Sequence, residues 1–466
     1  MLAIISDLHF CDGTATDRNV DPKAFALALS DIYETASTLA TARGAGAHLD
    51  IVFLGDVFDF LRTERWFETR EGVAVPLEDR PWGSASALDS GTAPPATIAR
   101  AHAILDEILT ENEEALATLR GERGAQPTNV DVRRIYFPGN HDRLYLHDAR
   151  LRDRCRAALG TVDETTLSDE GIYAHHLAMK QYGLLARHGH EWDDWNFERY
   201  TGAPPSHYAD ADYLVTPIGD PITTELAARL PYELAKNLTS TCLDITEQAA
   251  VVARMQHIED VRPLLASFHW AYYEANRIHQ SFADARKKAD IAGALNATVR
   301  TLATDFKNLD YFKAWRQRHH RLLHLDSAAE LEVILEALTV VNIESVGTIA
   351  QLFERFTGKS EPRDTCRDGA ALEDLRSIGT TGLRFVVYGH THDALQVALH
   401  ADAAQDIYLN SGTFRSAVFR TDDQQGFIGW DRMTYLSFFT EEEMSTFSGT
   451  KHTGPGFSSW TGDRNR

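Results

Sequence analysis

The chain has 466 residues, with 46 Lys and Arg against 68 Asp and Glu, a formal charge of −22 at pH 7. Length allows one large domain or several ordinary ones with an ample core, and 43% hydrophobic with 24% charged residues argues against wholesale disorder. Strong acidity argues against a protein that tracks nucleic-acid backbones by bulk charge.

The start, Met1-Leu2-Ala3-Ile4-Ile5, meets Asp7 and His9 too early for a signal peptide, and no basic region precedes it. No apolar run approaches the roughly 20 residues that span a bilayer. Cys11, Cys155, Cys242 and Cys366 are far apart with no CxxC pair, which suits a reduced, cytoplasmic protein better than a disulfide framework or a thiolate zinc site. Cys11 lies close to His9 and is expected to be a small buried hydrophobe rather than a reactive thiol.

Six short apolar runs, rich in Val, Ile and aromatics, are each closed by polar residues and read as buried strands. Leu2-Ala3-Ile4-Ile5 ends at Ser6-Asp7-Leu8-His9, and Ile51-Val52-Phe53-Leu54 at Gly55-Asp56-Val57-Phe58-Asp59. Arg134-Ile135-Tyr136-Phe137 ends at Pro138-Gly139-Asn140-His141-Asp142, and Leu184-Leu185-Ala186-Arg187 at His188-Gly189-His190-Glu191. Phe385-Val386-Val387-Tyr388 ends at Gly389-His390-Thr391-His392, and Ile407-Tyr408-Leu409 at Asn410-Ser411-Gly412-Thr413. Between the first two runs, Asp21-Pro22 starts a helix that Gly44 stops, and a second helix is expected over residues 97–119. Strands alternating with helices indicate an α/β sheet, whose ligands bind beyond the carboxyl ends of the strands, where all six polar clusters fall.

Two stretches break the rhythm. Residues 61–96 read as a long loop with Trp66 and Trp82. Residues 201–380 carry helical patterning at 243–257, 264–287, 295–306 and 328–340, and read as a helical insertion serving as cap or interface. The expected organisation is a core in two parts, 1–200 and 381–447, separated by the 201–380 insertion and followed by a flexible tail, 448–466.

Asp7 and His9 are two apart at a strand end, which on an extended chain turns both side chains to one face; His390 and His392 repeat the arrangement. Asp56, Asn140 and His188 each follow a strand. Carboxylate, imidazole and amide-carbonyl groups without thiolates suit Mn, Fe or Zn, and the imidazoles disfavour Mg or Ca alone. Seven candidate ligands exceed what one ion normally takes, so two ions sharing a carboxylate is the natural solution, with Asp56 as the bridge.

These motifs, in this order, resemble the calcineurin-like metallophosphoesterase superfamily, whose DxH, GDxxD, GNH(D/E), strand-terminal His and GHxH motifs all have counterparts here. The resemblance covers about residues 1–200 and 380–440 and leaves the insertion unexplained. It implies a four-layer αββα sandwich. It implies that Asp7, His9, Asp56 and His392 hold one divalent ion and Asp56, Asn140, His188 and His390 a second, Mn being the first expectation with Fe, Zn or Ni as alternatives. It further implies hydrolysis of phosphate esters by a metal-bridging hydroxide. His141 would protonate the leaving oxygen or steady the phosphoryl charge, Asp142 would orient His141, and His190 would face neighbouring ligands or the substrate.

A small organic phosphate or nucleotide, monoester or diester, is the expected substrate. The alternatives are a nuclease of the same superfamily, which would need a basic stripe the sequence does not display, and a metal-binding scaffold without turnover. The spacing from Asp7 to Asn140 looks somewhat like the bacterial UDP-diacylglucosamine hydrolase branch, but the long insertion does not fit that small enzyme. The insertion could also mediate a homo-oligomer.

Several residues have plainer readings. Asp59 is balanced between partner of the metal ligands and helix N-cap. Arg143 and Arg415 could bind phosphate, but a surface ion pair is the default expectation. His319, His320 and His324, among Arg316, Arg318 and Arg321, read as a solvated basic face. Phe268, Trp270, Tyr272 and Tyr273 read as packing, and Asn410-Ser411-Gly412-Thr413 as a structural turn.

Overall fold

In the computed structural model, the described residues are 1–16, 19–82, 87–123, 126–163, 167–262, 266–319, 327–345, 362–373, 383–399, 406–423 and 426–464. The first three apolar runs become β1 (Leu2–Ile5), β2 (Ala47–Leu54) and β3 (Val130–Phe137), paired in parallel with β1 beside β2 and β2 beside β3. The fourth run becomes β5 (Leu184–Arg187), antiparallel to β4 (His176–Met179), a strand outside the six runs. From the insertion comes β6 (Val261–Arg262), and beyond it β7 (Phe385–Tyr388), β8 (Leu395–Ala398), β9 (Ile407–Asn410), β10 (Ser416–Arg420), β11 (Phe427–Phe439) and β12 (Gly456–Arg464).

The chain is a mixed α/β protein with two mixed sheets. One has the order β3-β2-β1-β11-β10-β6 with β12 also on β11; the other has the order β4-β5-β7-β9-β8. A shared core joins them face to face: Leu2, Ile4, Val52, Leu54, Ile135 and Phe137 from the first pack against Leu177, Leu184, Ala186, Phe385 and Val387 from the second. Alternate residues of the first sheet (Ala3, Ile5, Leu49, Ile51, Phe53) point the other way, into a larger core with the helices. This period-2 division makes the strands apolar on both faces.

The helices on that outer face are α1 (Pro22–Arg43), α2 (Pro95–Glu111), α3 (Glu113–Leu119) and α4 (Ala149–Leu159). Asp21 caps α1 by accepting from the Lys23 N–H, and Gly44 ends it at φ 65°. The single helix expected over 97–119 is two: the chain breaks at Asn112, whose Nδ2 donates to the Ile108 and Cys11 carbonyls at 2.9 and 2.8 Å. That amide therefore pins α2 to the loop after β1.

The insertion carries α5 (Arg229–Leu238), α6 (Ile245–Met255), α7 (Ala266–Ser281), α8 (Ala285–Asn308), α9 (Asp310–His319) and α10 (Ser327–Val340), with α11 (Pro362–Leu372) after them and α12 (Glu441–Ser448) following β11. The 264–287 pattern does not form one helix; α8 restarts at Asp284, which caps it by accepting from the Arg286 and Lys287 N–H groups. Phe268, Trp270 and Tyr272 are buried in the insertion core, which also takes in Trp82 of the 61–96 loop and Val418 of β10. A seven-residue π-helical stretch, Ile222–Ala228, precedes α5. α11 covers the outer face of the second sheet, with Cys366 and Ala370 against Leu185, Val386 and Tyr388.

The tail is a further correction. Residues 456–464, inside the stretch expected to be flexible, form β12, antiparallel to β11 from Phe439↔Gly456 to Asp431↔Arg464. Glycine-rich composition suggested disorder, but the long β11 offers an unpaired edge that this segment fills. No described helix is long and apolar enough to cross a membrane.

Candidate metal centre

Each candidate ligand sits where a strand gives way to a turn. Among the described residues, the non-glycine residues with positive φ are Asp7, His9, Asp56, His390 and His392, at 46–66°. Such backbone costs about 1–3 kcal/mol per residue and gathers where function demands it. Asp7 and His9 lie beyond β1 rather than on an extended strand, and two left-handed residues, not a pleat, turn them to one side. Neighbouring turns lock them, with Asp7 N–H donating to the Gly55 carbonyl at 3.0 Å and His9 N–H to the Asp56 carbonyl at 2.8 Å. The carboxylates are aimed by backbone donors: His390 N–H reaches both Asp7 oxygens, and His141 N–H reaches Asp56 Oδ1 at 2.9 Å.

The turns converge. Three groups of ligating atoms lie within 4.8 Å of one another: Asp7, His9 and His392; His9, Asp56 and His141; and Asp56, His188 and His390. Asp56 links the sets, with Oδ2 3.6 Å from His9 Nε2 and 3.2 Å from His188 Nε2. His392 Nε2 is 3.3 Å from Asp7 Oδ1 and 3.0 Å from His9 Nε2. Asn140 precedes His141, whose N–H donates to Asp56, and its own Oδ1 is buried and without a hydrogen-bond partner.

The donor set fits divalent cations. His9 gives its Nδ1 to Asp59 and His188 its Nδ1 to the Leu54 carbonyl, at 2.8 and 2.9 Å. In neutral rings that leaves both Nε2 atoms as bare lone pairs, facing a second imidazole and a carboxylate. Lone pairs gathered this closely need a proton or a cation between them. Protonation makes the same demand visible. Burial alone would depress His188, but the Asp56 carboxylate outweighs it and lifts the imidazole to about 10. Burial, helped by repulsion from Asp56, pushes Asp7 up to about 6 although His188 opposes it.

His141 and Asp142 part company. Burial works against the charged His141 ring, but Asp59 and Asp56 prevail and raise its proton affinity. Its Nδ1 bonds Asp59 Oδ1 at 3.0 Å, not Asp142. Asp142 instead accepts from the backbone N–H groups of Val57, Phe58 and Gly139, at 3.2, 2.7 and 3.0 Å. The orienting role expected of Asp142 therefore falls to Asp59, because the Asp142 side chain folds back onto its own turn and the β2 turn. Of the two readings of Asp59, it is a partner of the candidate ligands and not a helix N-cap, since the next helical turn, Glu64–Trp66, is capped by Thr63; Asp59 accepts from His9, His141, and the Leu61 and Arg62 N–H groups, and pairs with Arg62 Nε at 3.1 Å.

The two arginines are buried, not surface, ion pairs. Arg143 meets Asp220 at 2.7 Å and the Pro81 and Leu214 carbonyls; Arg415 meets Asp260 at 3.2 Å and the His9 carbonyl. Their partners lie in the insertion, out of reach of any local sequence signal. His190 lies beside the site, its ring centroid 5.4 Å from that of His188, and burial depresses it to about 3. Cys11 is buried against Arg415 and the His9 carbonyl, and burial pushes its thiol to about 12. His319 is half-buried, stacked on Trp315 and bonded to Glu198, while His320, Arg321 and His324 lie outside the described residues. In the Asn410 turn, Asn410 Nδ2 donates to the Gly389 carbonyl and Thr413 Oγ1 to the Asp7 carbonyl, holding two ligand turns together.

Sequence reasoning passed over Asp193, Asn196 and Arg62. All three follow a motif by a few residues, and a polar cluster at that offset was the available signal. No family model matches the chain, and no curated protein or solved structure matches it either.

Proposed function

We propose that this protein is a dinuclear metal-dependent phosphoesterase of the calcineurin-like superfamily, acting on a small organic phosphate or nucleotide, with phosphodiesters tested first. The observation that carries the reading is Asp56, a single carboxylate within reach of one set made by Asp7, His9 and His392 and another made by His188 and His390. The stacking of α1–α4, the first sheet, the second sheet and α11 supports the four-layer αββα reading. Four unpaired cysteines support a reduced, cytoplasmic setting.

Asp7, His9, Asp56 and His392 would hold one ion, and Asp56, Asn140, His188 and His390 the other, with Mn the first choice. Bound ions supply Lewis-acid charge to a phosphoryl oxygen and acidify an attacking water. The chain's own residues do the rest. His141 donates its Nδ1–H to Asp59, so Nε2 holds a proton for the leaving oxygen when the ring is doubly protonated. Asp59 favours the protonated ring and fixes its orientation. Six of the seven candidate ligands are buried and the His390 side chain is only 7% exposed, which favours a small substrate over a nucleic-acid strand, as does the charge of −22.

The test is hydrolysis of bis-p-nitrophenyl phosphate and p-nitrophenyl phosphate by metal-stripped protein with Mn, Zn, Fe, Mg or Ni restored. Metal-dependent turnover is expected, and His141→Ala should lower it by roughly 10²–10⁴ with metal content unchanged. Two bound ions without turnover on either ester would overturn the enzyme reading in favour of a scaffold.

A further inference from the structure

Two of the candidate ligands, Asn140 and His390, are joined by side chains that belong to none of the motifs. His390 Nε2 lies 2.9 Å from Asp193 Oδ2. The same oxygen accepts from Asn196 Nδ2 at 2.8 Å, and Asn196 Oδ1 accepts from Asn140 Nδ2 at 3.2 Å. Asp193 is buried and its other oxygen accepts from the Trp195 N–H at 2.9 Å, so the carboxylate cannot swing away.

The direction of every bond in this chain follows from Asp193. An ionised carboxylate only accepts, so His390 must carry its hydrogen on Nε2, which leaves Nδ1 as the bare nitrogen. Asn196 must likewise present its NH2 to Asp193 and therefore its carbonyl to Asn140. Asn140 then has to present its own NH2 to Asn196, which leaves Oδ1, the buried atom without a hydrogen-bond partner, as its ligating atom. An amide nitrogen has no lone pair to give a cation, so a flipped Asn140 would lose a ligand. Asn196 is wedged in turn by the insertion: a Cβ at Gly219 would stand 2.4 Å from Asn196 Oδ1 and 2.8 Å from the Trp195 carbonyl, and the Gly219 N–H donates to that carbonyl at 2.7 Å.

We propose that Asp193 and Asn196 are positioning residues that select the ligating atoms of His390 and Asn140, and thereby set the affinity of the ion shared by Asp56, Asn140, His188 and His390. This rests on the dinuclear reading above. Carboxylates and amides that orient metal ligands in this way are typically worth 10–100-fold in affinity.

The experiment is calorimetric titration of metal-stripped wild type, Asn196→Ala and Asp193→Ala with Zn or Mn, alongside thermal midpoints of the stripped proteins. In the wild type two ions bind. Each variant should weaken one ion by about 10–100-fold and leave the other unchanged, with the stripped midpoint close to wild type. If Asn196→Ala does not fold, Asn196→Leu keeps the side-chain volume and gives the same reading. Unchanged affinities overturn the proposal, as does equal weakening of both ions with a matching fall in the stripped midpoint, which is what a merely structural role would produce. A wild type that binds no ion overturns the dinuclear reading itself, a result distinct from two ions indifferent to both substitutions.

Discussion

Replacing Asp59 by Asn changes one oxygen to an NH2 and little else, and two imidazoles register the change. Asp59 Oδ1 serves His141 Nδ1, Leu61 N–H and Arg62 N–H, while Oδ2 serves His9 Nδ1 at 2.8 Å and Arg62 Nε at 3.1 Å. An Asn side chain keeps its carbonyl where three donors converge, so its NH2 must face His9 Nδ1 and the Arg62 guanidinium. His9 can then accept at Nδ1 only by moving its hydrogen to Nε2, the atom that faces His392 Nε2 at 3.0 Å and Asp56 Oδ2 at 3.6 Å. The ligating nitrogen is thus blocked. The loss is one charge-assisted hydrogen bond, about 1.5–3 kcal/mol, which agrees with the 10–100-fold fall in metal affinity usual when an orienting carboxylate is removed, about 1.4–2.7 kcal/mol. Calorimetry on stripped Asp59→Asn should show the ion held by Asp7, His9, Asp56 and His392 weakened by that factor, with turnover on bis-p-nitrophenyl phosphate falling at least as far. Both quantities within twofold of wild type would refute the claim that Asp59 sets the His9 tautomer.

Gly55 has φ 84°, and a Cβ there would lie 2.3 Å from His188 Nδ1; Gly55→Ala should lower the thermal midpoint by the equivalent of more than about 1–2 kcal/mol, the strain alone, and metal analysis should show an ion lost. Breaking the buried Arg143–Asp220 pair by Asp220→Ala should destabilise by about 3–5 kcal/mol in denaturant melts, whereas Arg143→Met with Asp220→Leu should recover most of it; equal effects of single and double variants would contradict this account. Asp50 sits between His48 and Arg133, at 2.9 and 2.7 Å. Burial pushes its carboxyl up, but those partners prevail and hold it below its ordinary 3.8, while the bond to Asp50 lifts His48 above its ordinary 6.5. The Asp50 contribution is therefore complete above pH 3.8 and lost as pH falls through its folded value; the His48 contribution is complete below pH 6.5 and lost as pH rises through its folded value. Thermal midpoints of wild type and His48→Gln should accordingly differ most between about pH 4 and 6.5 and converge on either side.

The strands at β1, β2, β3, β5, β7 and β9 were legible because each is a short apolar run closed by polar residues, a pattern set by burial on both faces of a sheet. The candidate ligand residues were legible for a related reason: ligands in such sheets gather beyond strand ends, and Asp, Asn and His in those turns are chemically conspicuous. Their direction was not. Left-handed backbone at Asp7, His9, Asp56, His390 and His392 arises only when neighbouring turns trade backbone hydrogen bonds, so no single turn encodes it. The tail shows the same limit, since Gly and Ser near 454–462 suggest disorder until β11 presents an edge.

Local sequence determined which residues are available for chemistry, because residue type and strand-end position are local properties. Tertiary structure decided how they are used. Asp59 rather than Asp142 holds His141, Arg143 and Arg415 are spent on Asp220 and Asp260 of the insertion, and Asp193 and Asn196 bond His390 Nε2 and Asn140 Nδ2. Each of these is a contact between segments distant in sequence or separated by a turn, fixed by where buried donors and acceptors can be satisfied.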